Sequence, residues 1–328
     1  MVLDVVGSIP TSRPSISPAK TAGVNRADSC TAIPYASNVS RFPFSVLHRA
    51  GLRRAHLAHP IIRDIARLLC RKRIIPLELL IGAPVNTTFR VAIEGLAFRY
   101  RLDADDVFGS RLFWSGASAF EPDTVPLFVK YARTAPRVID VGAHTGFYTL
   151  LAAAANPACE LISFEPFAAT FGRLRENLAV NNLGGRCVAL ESAVSDKAGT
   201  AFLHVPADKS MVAVDATAGN IPVTTTPLDA IIPRDGNTRL VKIDVEGHEL
   251  AVLRGMEETL ADSHPVIFFE CNPGGPAASI DRFLRSQNYR IFSIVKGNVR
   301  ELRRLVPEDI PHQHHNFLAL SSQDCTTL

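Results

Sequence analysis

A chain of 328 residues, 47% apolar and 20% charged, can bury one substantial α/β core and still leave an extension over. The net charge of +3 hides an asymmetry: residues 1–90 hold 13 Lys+Arg against 4 Asp+Glu, and the remainder holds 22 against 28. The six cysteines (Cys30, Cys70, Cys159, Cys187, Cys271, Cys325) include no Cys-x-x-Cys pair, which argues against a disulfide framework or a zinc site and for reduced thiols in a cytoplasmic protein.

In chain order, residues 1–44 are rich in Ser and Pro (Ser8, Pro10, Ser12, Pro14) and poor in bulky groups, so they are expected to form a disordered leader. The leader lacks the basic start and unbroken apolar run of a secretory signal. No segment approaches about 20 apolar residues, so no membrane span is expected. Residues 45–88 form a basic amphipathic segment, in which Leu47, Leu52, Leu57, Ile61, Ile65 and Leu68 alternate at helical spacing with arginines such as Arg49, Arg53, Arg63, Arg67 and Arg71. One reading of residues 45–81 is a helical cap over the catalytic domain, and a second is a peripheral contact with an anionic membrane surface. Nucleic acid is not expected as a partner, because aromatics are not interleaved with the basic residues and the rest of the chain is acidic.

A catalytic unit is expected over 89–328, with a lid region at 89–135 and a cofactor-binding core at 136–328. Alternation at Phe89, Val91, Ile93 and then Phe98, Tyr100, Leu102 predicts a β-hairpin turning at Glu94-Gly95. Trp114 is read as core, and a helix is expected from Thr124 to Arg133. Next, Val138, Ile139 and Val141 make a buried strand that stops at Gly142-Ala143-His144-Thr145-Gly146 before an alanine-rich helix. Such a loop serves a nucleotide cofactor, since Gly142 permits a tight turn and Gly146 permits close approach. A dinucleotide fingerprint would carry glycine where His144 stands, so a nicotinamide oxidoreductase fits less well than a nucleoside without phosphates. Glu165, at the end of the following strand, is placed to accept hydrogen bonds from ribose hydroxyls. Both facts suit S-adenosylmethionine.

From Arg137 to Glu270 the chain resembles the FkbM-type S-adenosylmethionine-dependent methyltransferases, through Val-Ile-Asp-Val-Gly-Ala-His-Thr-Gly (138–146), Phe-Glu-Pro (164–166), Asn177 with Asn181-Asn182, Ser192-Ala193-Val194-Ser195-Asp196, Thr225-Thr226-Pro227-Leu228-Asp229 and Val241-Lys242-Ile243-Asp244-Val245-Glu246-Gly247-His248-Glu249. Weaker likeness reaches Glu121-Pro122 and His315-Asn316-Phe317-Leu318-Ala319. The chain has His248 where the family more often has a small residue, and Pro227 where it more often has leucine. The resemblance implies a doubly wound, Rossmann-like sheet, mostly parallel with an antiparallel last strand. It also hints that Glu121 reaches the cofactor or its acceptor.

Strands are expected at 137–141, 160–165, 187–192, 239–244, 266–270, 289–294 and 316–320, and helices at 147–155, 168–181, 249–260 and 276–287, with an extra antiparallel pair between Gly199 and Thr226. Ligands in such sheets lie beyond the carboxyl ends of the strands. That rim collects Asp140, Gly142, His144, Gly146, Glu165, Ser192 and Ala193 as cofactor residues and Asp244, Glu246 and His248 as catalytic candidates. The implied reaction is O-methylation of a hydroxyl on a sugar, glycolipid or secondary metabolite, with a non-catalytic binding protein as the reading from outside enzymology. Asp244, Glu246 and His248 could also hold a divalent cation, but no further ligand is evident from spacing and no metal is predicted. The tract His312, His314, His315 is read as a loop, and Cys271 as an unreactive thiol.

Overall fold

The computed structural model describes residues 57, 59–81, 83–204, 213–215, 221–272, 275–295, 297–306 and 315–322. The expected leader, the first part of the basic segment, and His312 and His314 fall outside these residues.

The described chain begins with helix α1 (Pro60–Arg71), preceded by Leu57, which is fully buried. The hairpin follows as β1 (Thr87–Ile93) and β2 (Leu96–Leu102), turning at Glu94 and Gly95, both with positive φ. Its register pairs Phe89 with Tyr100 and Val91 with Phe98, so the apolar positions of both strands share a buried face. Helices α2 (Val107–Ser115) and α3 (Thr124–Ala132) lead into the central sheet. Asp106 caps α2 by accepting a hydrogen bond from Gly109 N. Trp114 is fully buried, as its core reading required.

The core alternates β3 (Arg137–Val141), α4 (Phe147–Ala155), β4 (Glu160–Phe164), α5 (Ala168–Val180) and β5 (Cys187–Leu190). After an excursion it resumes with β10 (Thr238–Ile243), α6 (Glu249–Arg254), α7 (Glu257–Ser263), β11 (Val266–Glu270), α8 (Ala277–Ser286), β12 (Tyr289–Val295), β13 (Asn298–Leu302) and β14 (Asn316–Ser321). The eight strands lie in the order β13-β12-β14-β11-β10-β3-β4-β5. The five from β11 to β5 are parallel, and β14 runs antiparallel to both its neighbours. This is the expected doubly wound sheet with an antiparallel last strand, and β13 is an edge strand that the sequence pattern did not reveal.

Alternation along the strands builds a core on each face. Val138, Leu161, Leu240 and Phe268 pack with residues of α3, α4 and α5, while Ile139, Phe164, Ile243 and Phe269 pack with residues of α6, α7 and α8. The period-2 rule places Asp140 and Lys242 on the first of these faces, side by side in the β3–β10 register. The same registers align Val141 with Phe164 and with Ile243, and Ile243 with Phe269. The residues that follow these strand ends are thereby gathered along one rim.

Three expectations are corrected. The strand expected at 187–192 ends at Leu190; after a bend, β6 (Ala193–Val194) joins a second sheet, ordered β6-β9-β7-β8, with β7 (Gly199–His204), β8 (Ala213–Asp215) and β9 (Ile221–Thr226). The helix expected at 249–260 is broken at Gly255, because Asp229 caps a new helix there, its carboxylate accepting from Glu258 N, Thr259 N and Thr259 Oγ1. The hairpin expected as a lid is instead fixed to the body. Asn177 Oδ1 accepts from Arg101 N at 2.7 Å, and Asn181 both accepts from Arg99 N and donates to Arg99 O. Two asparagines four apart on a helix thus grip two residues two apart on a strand.

Gly255 marks another close contact. A Cβ at this position would lie 2.0 Å from the Ser195 carbonyl oxygen, whereas one at Gly185 would meet nothing within 4 Å. Gly255→Ala is expected to lower unfolding free energy by about 1–3 kcal/mol through overpacking, and Gly185→Ala to leave it unchanged or slightly raised. Urea unfolding of the two variants measures the difference.

Candidate functional site

The glycine loop takes its shape from positive φ at Gly142, His144 and Gly146. At Gly142 the requirement is absolute: a Cβ would lie 1.8 Å from the Asp244 carbonyl oxygen, so only glycine lets β3 and β10 end this close together. At Gly146 a Cβ would meet Leu174 Cδ1 at 2.6 Å. The loop's N–H groups are largely committed inside the protein. Gly142 and Ala143 donate to Phe164 O, His144 donates to Glu165 Oε2, and Gly146 donates to Ala143 O. A diphosphate-binding loop turns such groups toward its ligand, and here four of the five are already used. In the first turn of α4 the Gly146 cap supplies no side-chain acceptor, and Thr149 N donates to the Asp140 carboxylate from beneath the loop.

Beyond the loop lies a narrow crevice, lined by Val141, Gly142, Phe164, Pro166, Ser192, Ala193, Val194, Val245 and His248. Its walls are mostly apolar, which suits a flat heterocycle without phosphates. Glu165 stands beside it. Its Oε1 accepts from Phe167 N and Thr170 Oγ1 and its Oε2 from His144 N, and burial raises its carboxyl pKa. The carboxylate is therefore held rigidly, and it ties the glycine loop to the end of β4.

Of the cofactor residues named from sequence, Gly142, Ser192 and Ala193 line this crevice; Glu165, His144 and Gly146 do not, and Glu165 is bound to the glycine loop through His144 N. Nor does Asp140 line it. It is buried beneath the loop, where Oδ2 accepts from Thr149 Oγ1 at 2.6 Å and burial pushes its carboxyl up to about 6. Glu121 also lies away from the crevice, in a buried polar group under the acidic end of β10, where it accepts from Asn316 Nδ2 at 3.0 Å and from the Tyr148 hydroxyl.

The catalytic candidates separate as well. Asp244, Glu246 and Glu270 each present an oxygen within 4.8 Å of the others, close enough to share a proton or a cation. His248 instead joins the crevice wall, with Nε2 3.0 Å from Ser195 Oγ, and burial lowers its pKa. Glu270 takes the place beside the two acids that sequence spacing gave to the histidine. The signal for it was its position at the end of β11, next to β10 in the sheet.

Beneath this cluster lies Lys242, a fully buried ammonium. It donates to Asp244 Oδ2 at 3.1 Å and Asn316 Oδ1 at 3.2 Å, and sits 5.1 Å from the Tyr148 ring centre. Burial alone would lower its pKa, yet Asp244, Glu121 and Glu270 around it raise it. Burial equally opposes ionisation of Asp244, but Lys242 and a hydrogen bond with Glu270 hold that carboxyl below its ordinary value. Glu270 goes the other way: burial and the neighbouring Asp244 charge push it up to about 10. At neutral pH Glu270 keeps its proton and donates it toward Asp244. Glu246 lies between them at about 7, raised by burial and by Asp244 and Glu249, while Asn272 Nδ2 donates to its Oε2 at 3.0 Å. Three carboxyls in one cluster are thus set to a charged, a neutral and a titrating state, the spread that general acid–base chemistry requires.

Cys271 is fully buried, with its thiol pushed up to about 12, so it offers no nucleophile. The four described cysteines form no disulfide.

The Methyltransferase FkbM domain family matches residues 140–291. A Hexuronic acid methyltransferase, AglP of Haloferax volcanii, is 29% identical over 150 residues, which cover 45% of this chain and 61% of that protein. Methyltransferase 1 of Beauveria bassiana is 24% identical over 180 residues, covering 47% and 72%. Among solved structures, a methyltransferase FkbM from Methylobacillus flagellatus aligns at 16% identity and a TM-score of 0.38, over 84% of this chain and 65% of that one.

Because burial raises Glu246 above its unfolded value of 4.5, its protonated form belongs to the folded state. The stability it contributes is fully present below pH 4.5 and is lost as pH rises toward about 7. Glu246→Gln is expected to flatten that decline, as read from urea midpoints across the same range.

Proposed function

With residues 140–291 belonging to the FkbM methyltransferase family and the chain accordingly a methyltransferase, we propose that it is an S-adenosylmethionine-dependent O-methyltransferase whose acceptor is a hydroxyl of a sugar or glycan-like molecule. The observation that carries this reading is the position of the graded carboxyl cluster next to the crevice. Asp244 and Val245 are consecutive, Val245 lines the crevice, and the Asp244 carbonyl touches Gly142. A cofactor seated on Gly142 is therefore adjacent to the acids.

The residues present fit the cofactor. The apolar walls around Phe164, Ala193 and Val245 receive a heterocycle, and Glu165 offers acceptor oxygens to a ribose. When bound, S-adenosylmethionine supplies an already activated methyl group, so the protein's main task is alignment, which contributes about 7–11 kcal/mol in favourable systems. The proton remains to be handled. A sugar hydroxyl is too weak an acid to ionise at neutral pH, and a carboxylate that receives its proton adds roughly 10²–10⁴-fold. Glu246 is the group set for this, since it is half ionised near pH 7. Asp244, paired with Lys242, keeps its charge to orient the acceptor, and Glu270 retains a proton with which to hold Asp244 in place. The likeness to a hexuronic acid methyltransferase supports a sugar acceptor.

Two experiments test the reading. Isothermal calorimetry should detect micromolar S-adenosylhomocysteine binding, lost in Gly142→Val and Glu165→Ala variants that keep the wild-type circular dichroism; selective binding of NAD would contradict it. Cell extracts incubated with a methyl-labelled donor should yield a labelled carbohydrate with wild type and at least about a hundredfold less with Asp244→Ala. Label found in protein or nucleic acid would refute the acceptor class.

A further inference from the structure

Helix α1 has two faces of different character. Its inner face is anchored: Ala66 and Cys70 are buried, Arg67 Nε donates to Phe113 O at 2.8 Å, and the Arg67 guanidinium stacks 4.5 Å over the Phe113 ring. Its outer face carries Ile61, Ile65 and Leu68, at positions i, i+4 and i+7, exposed by 65%, 54% and 54%. Ile74, just past the helix, is 63% exposed. The other exposed large apolar side chains among the described residues, Val107, Val188 and Ile231, belong to separate elements. Exposed Asp64 flanks this row, three residues after Ile61 and four before Leu68. An exposed apolar row on a firmly held helix marks a contact surface and not an untidy core.

The ridge continues into cations. Lys72 follows Leu68 by four residues, on the same side, and is flanked by exposed Arg71 and Arg73. Among the described residues none of these three is ion-paired. The helix is 12 residues, about 18 Å, so it is too short to span a bilayer but long enough to lie along one. We propose that the Ile61–Ile65–Leu68 ridge of α1, with Arg71, Lys72 and Arg73, docks on an anionic lipid bilayer. The apolar row enters the acyl boundary while the cations meet lipid phosphates. Charge complementarity selects this occupant over the chain's own preceding segment, since residues 1–56 carry 7 Lys+Arg against 2 Asp+Glu and would bring like charge to the ridge. A second copy docking through the same helix would bring the same cations. The inference does not rest on the methyl acceptor, and its test needs no turnover.

Full-length protein is floated with vesicles of phosphatidylcholine alone and of phosphatidylcholine mixed with phosphatidylglycerol. Recovery is expected with the mixed vesicles only. The double variant Ile65→Glu/Leu68→Glu should lower vesicle affinity at least about tenfold, and each charge reversal at Arg71, Lys72 or Arg73 should lower it roughly fivefold or more. All substituted side chains are exposed, so circular dichroism and S-adenosylhomocysteine affinity should stay at wild-type values. Absence of flotation with mixed vesicles, equal flotation with both kinds, or flotation indifferent to Ile65→Glu/Leu68→Glu would each overturn the proposal. So would a wild-type dimer that the double variant converts to monomer without change in lipid binding.

Discussion

The site depends on how closely two strand ends approach. Gly142, leaving β3, lies against the carbonyl of Asp244, leaving β10, with no space for a side chain between them. Asp244 N in turn donates to Val141 O at 2.9 Å, so the sheet's hydrogen bonding extends one step past the strand and fixes the contact. On one side of it lies the crevice with Phe164, Ala193 and Val245, and on the other the acids Asp244, Glu246 and Glu270. Methyl transfer demands that donor and acceptor share one line, and this contact sets the two halves of the site at a fixed separation.

Burying an ammonium beneath that junction is costly unless it is surrounded by acceptors. Lys242 is so surrounded, by Asp244, Asn316 and, more remotely, Glu121 and Glu270. One cation among three acids cannot keep all of them ionised in a buried site. The closest, Asp244, stays charged, while Glu270 and Glu121 are pushed toward their neutral forms. The spread of protonation states around the rim follows from one buried charge and its distances to its neighbours.

The segment ahead of the core is built into the same arrangement. The Tyr100 hydroxyl, fully buried on β2, lies 2.6 Å from Thr145 Oγ1 in the glycine loop and 3.0 Å from Asp106 Oδ2 at the α2 cap. Asn177 Nδ2 donates to Thr145 O from the other side. The glycine loop is therefore braced by the hairpin and by α5, and α1 is carried on the hairpin's neighbour α2 through Arg67 and Phe113. A surface docked through α1 would hold the cofactor loop at a fixed distance from it.

The period-2 run Val138-Ile139-Asp140-Val141, the glycines after it and the strand–helix alternation were legible in the sequence, because backbone conformation and burial leave local marks: φ preference, apolar spacing and turn residues. The rim could be assembled from that alone, since parallel strands end on one side. The orientation of each polar side chain on the rim was not legible. Asp140 lies inside β3 and Asp244 just past β10, on the same face of the sheet as Lys242, yet Asp140 is buried against Thr149 while Asp244, one step further along, stands at the rim beside Lys242. His248, two residues from Glu246, swings to Ser195, while Glu270, distant in sequence, fills the position beside Asp244. The sequence by itself determined most of the core strands and helices and the rim along which their ends lie. Only the tertiary structure decided which side chains share a proton, because that depends on distances of a few ångströms across strands and on how much water each group has lost.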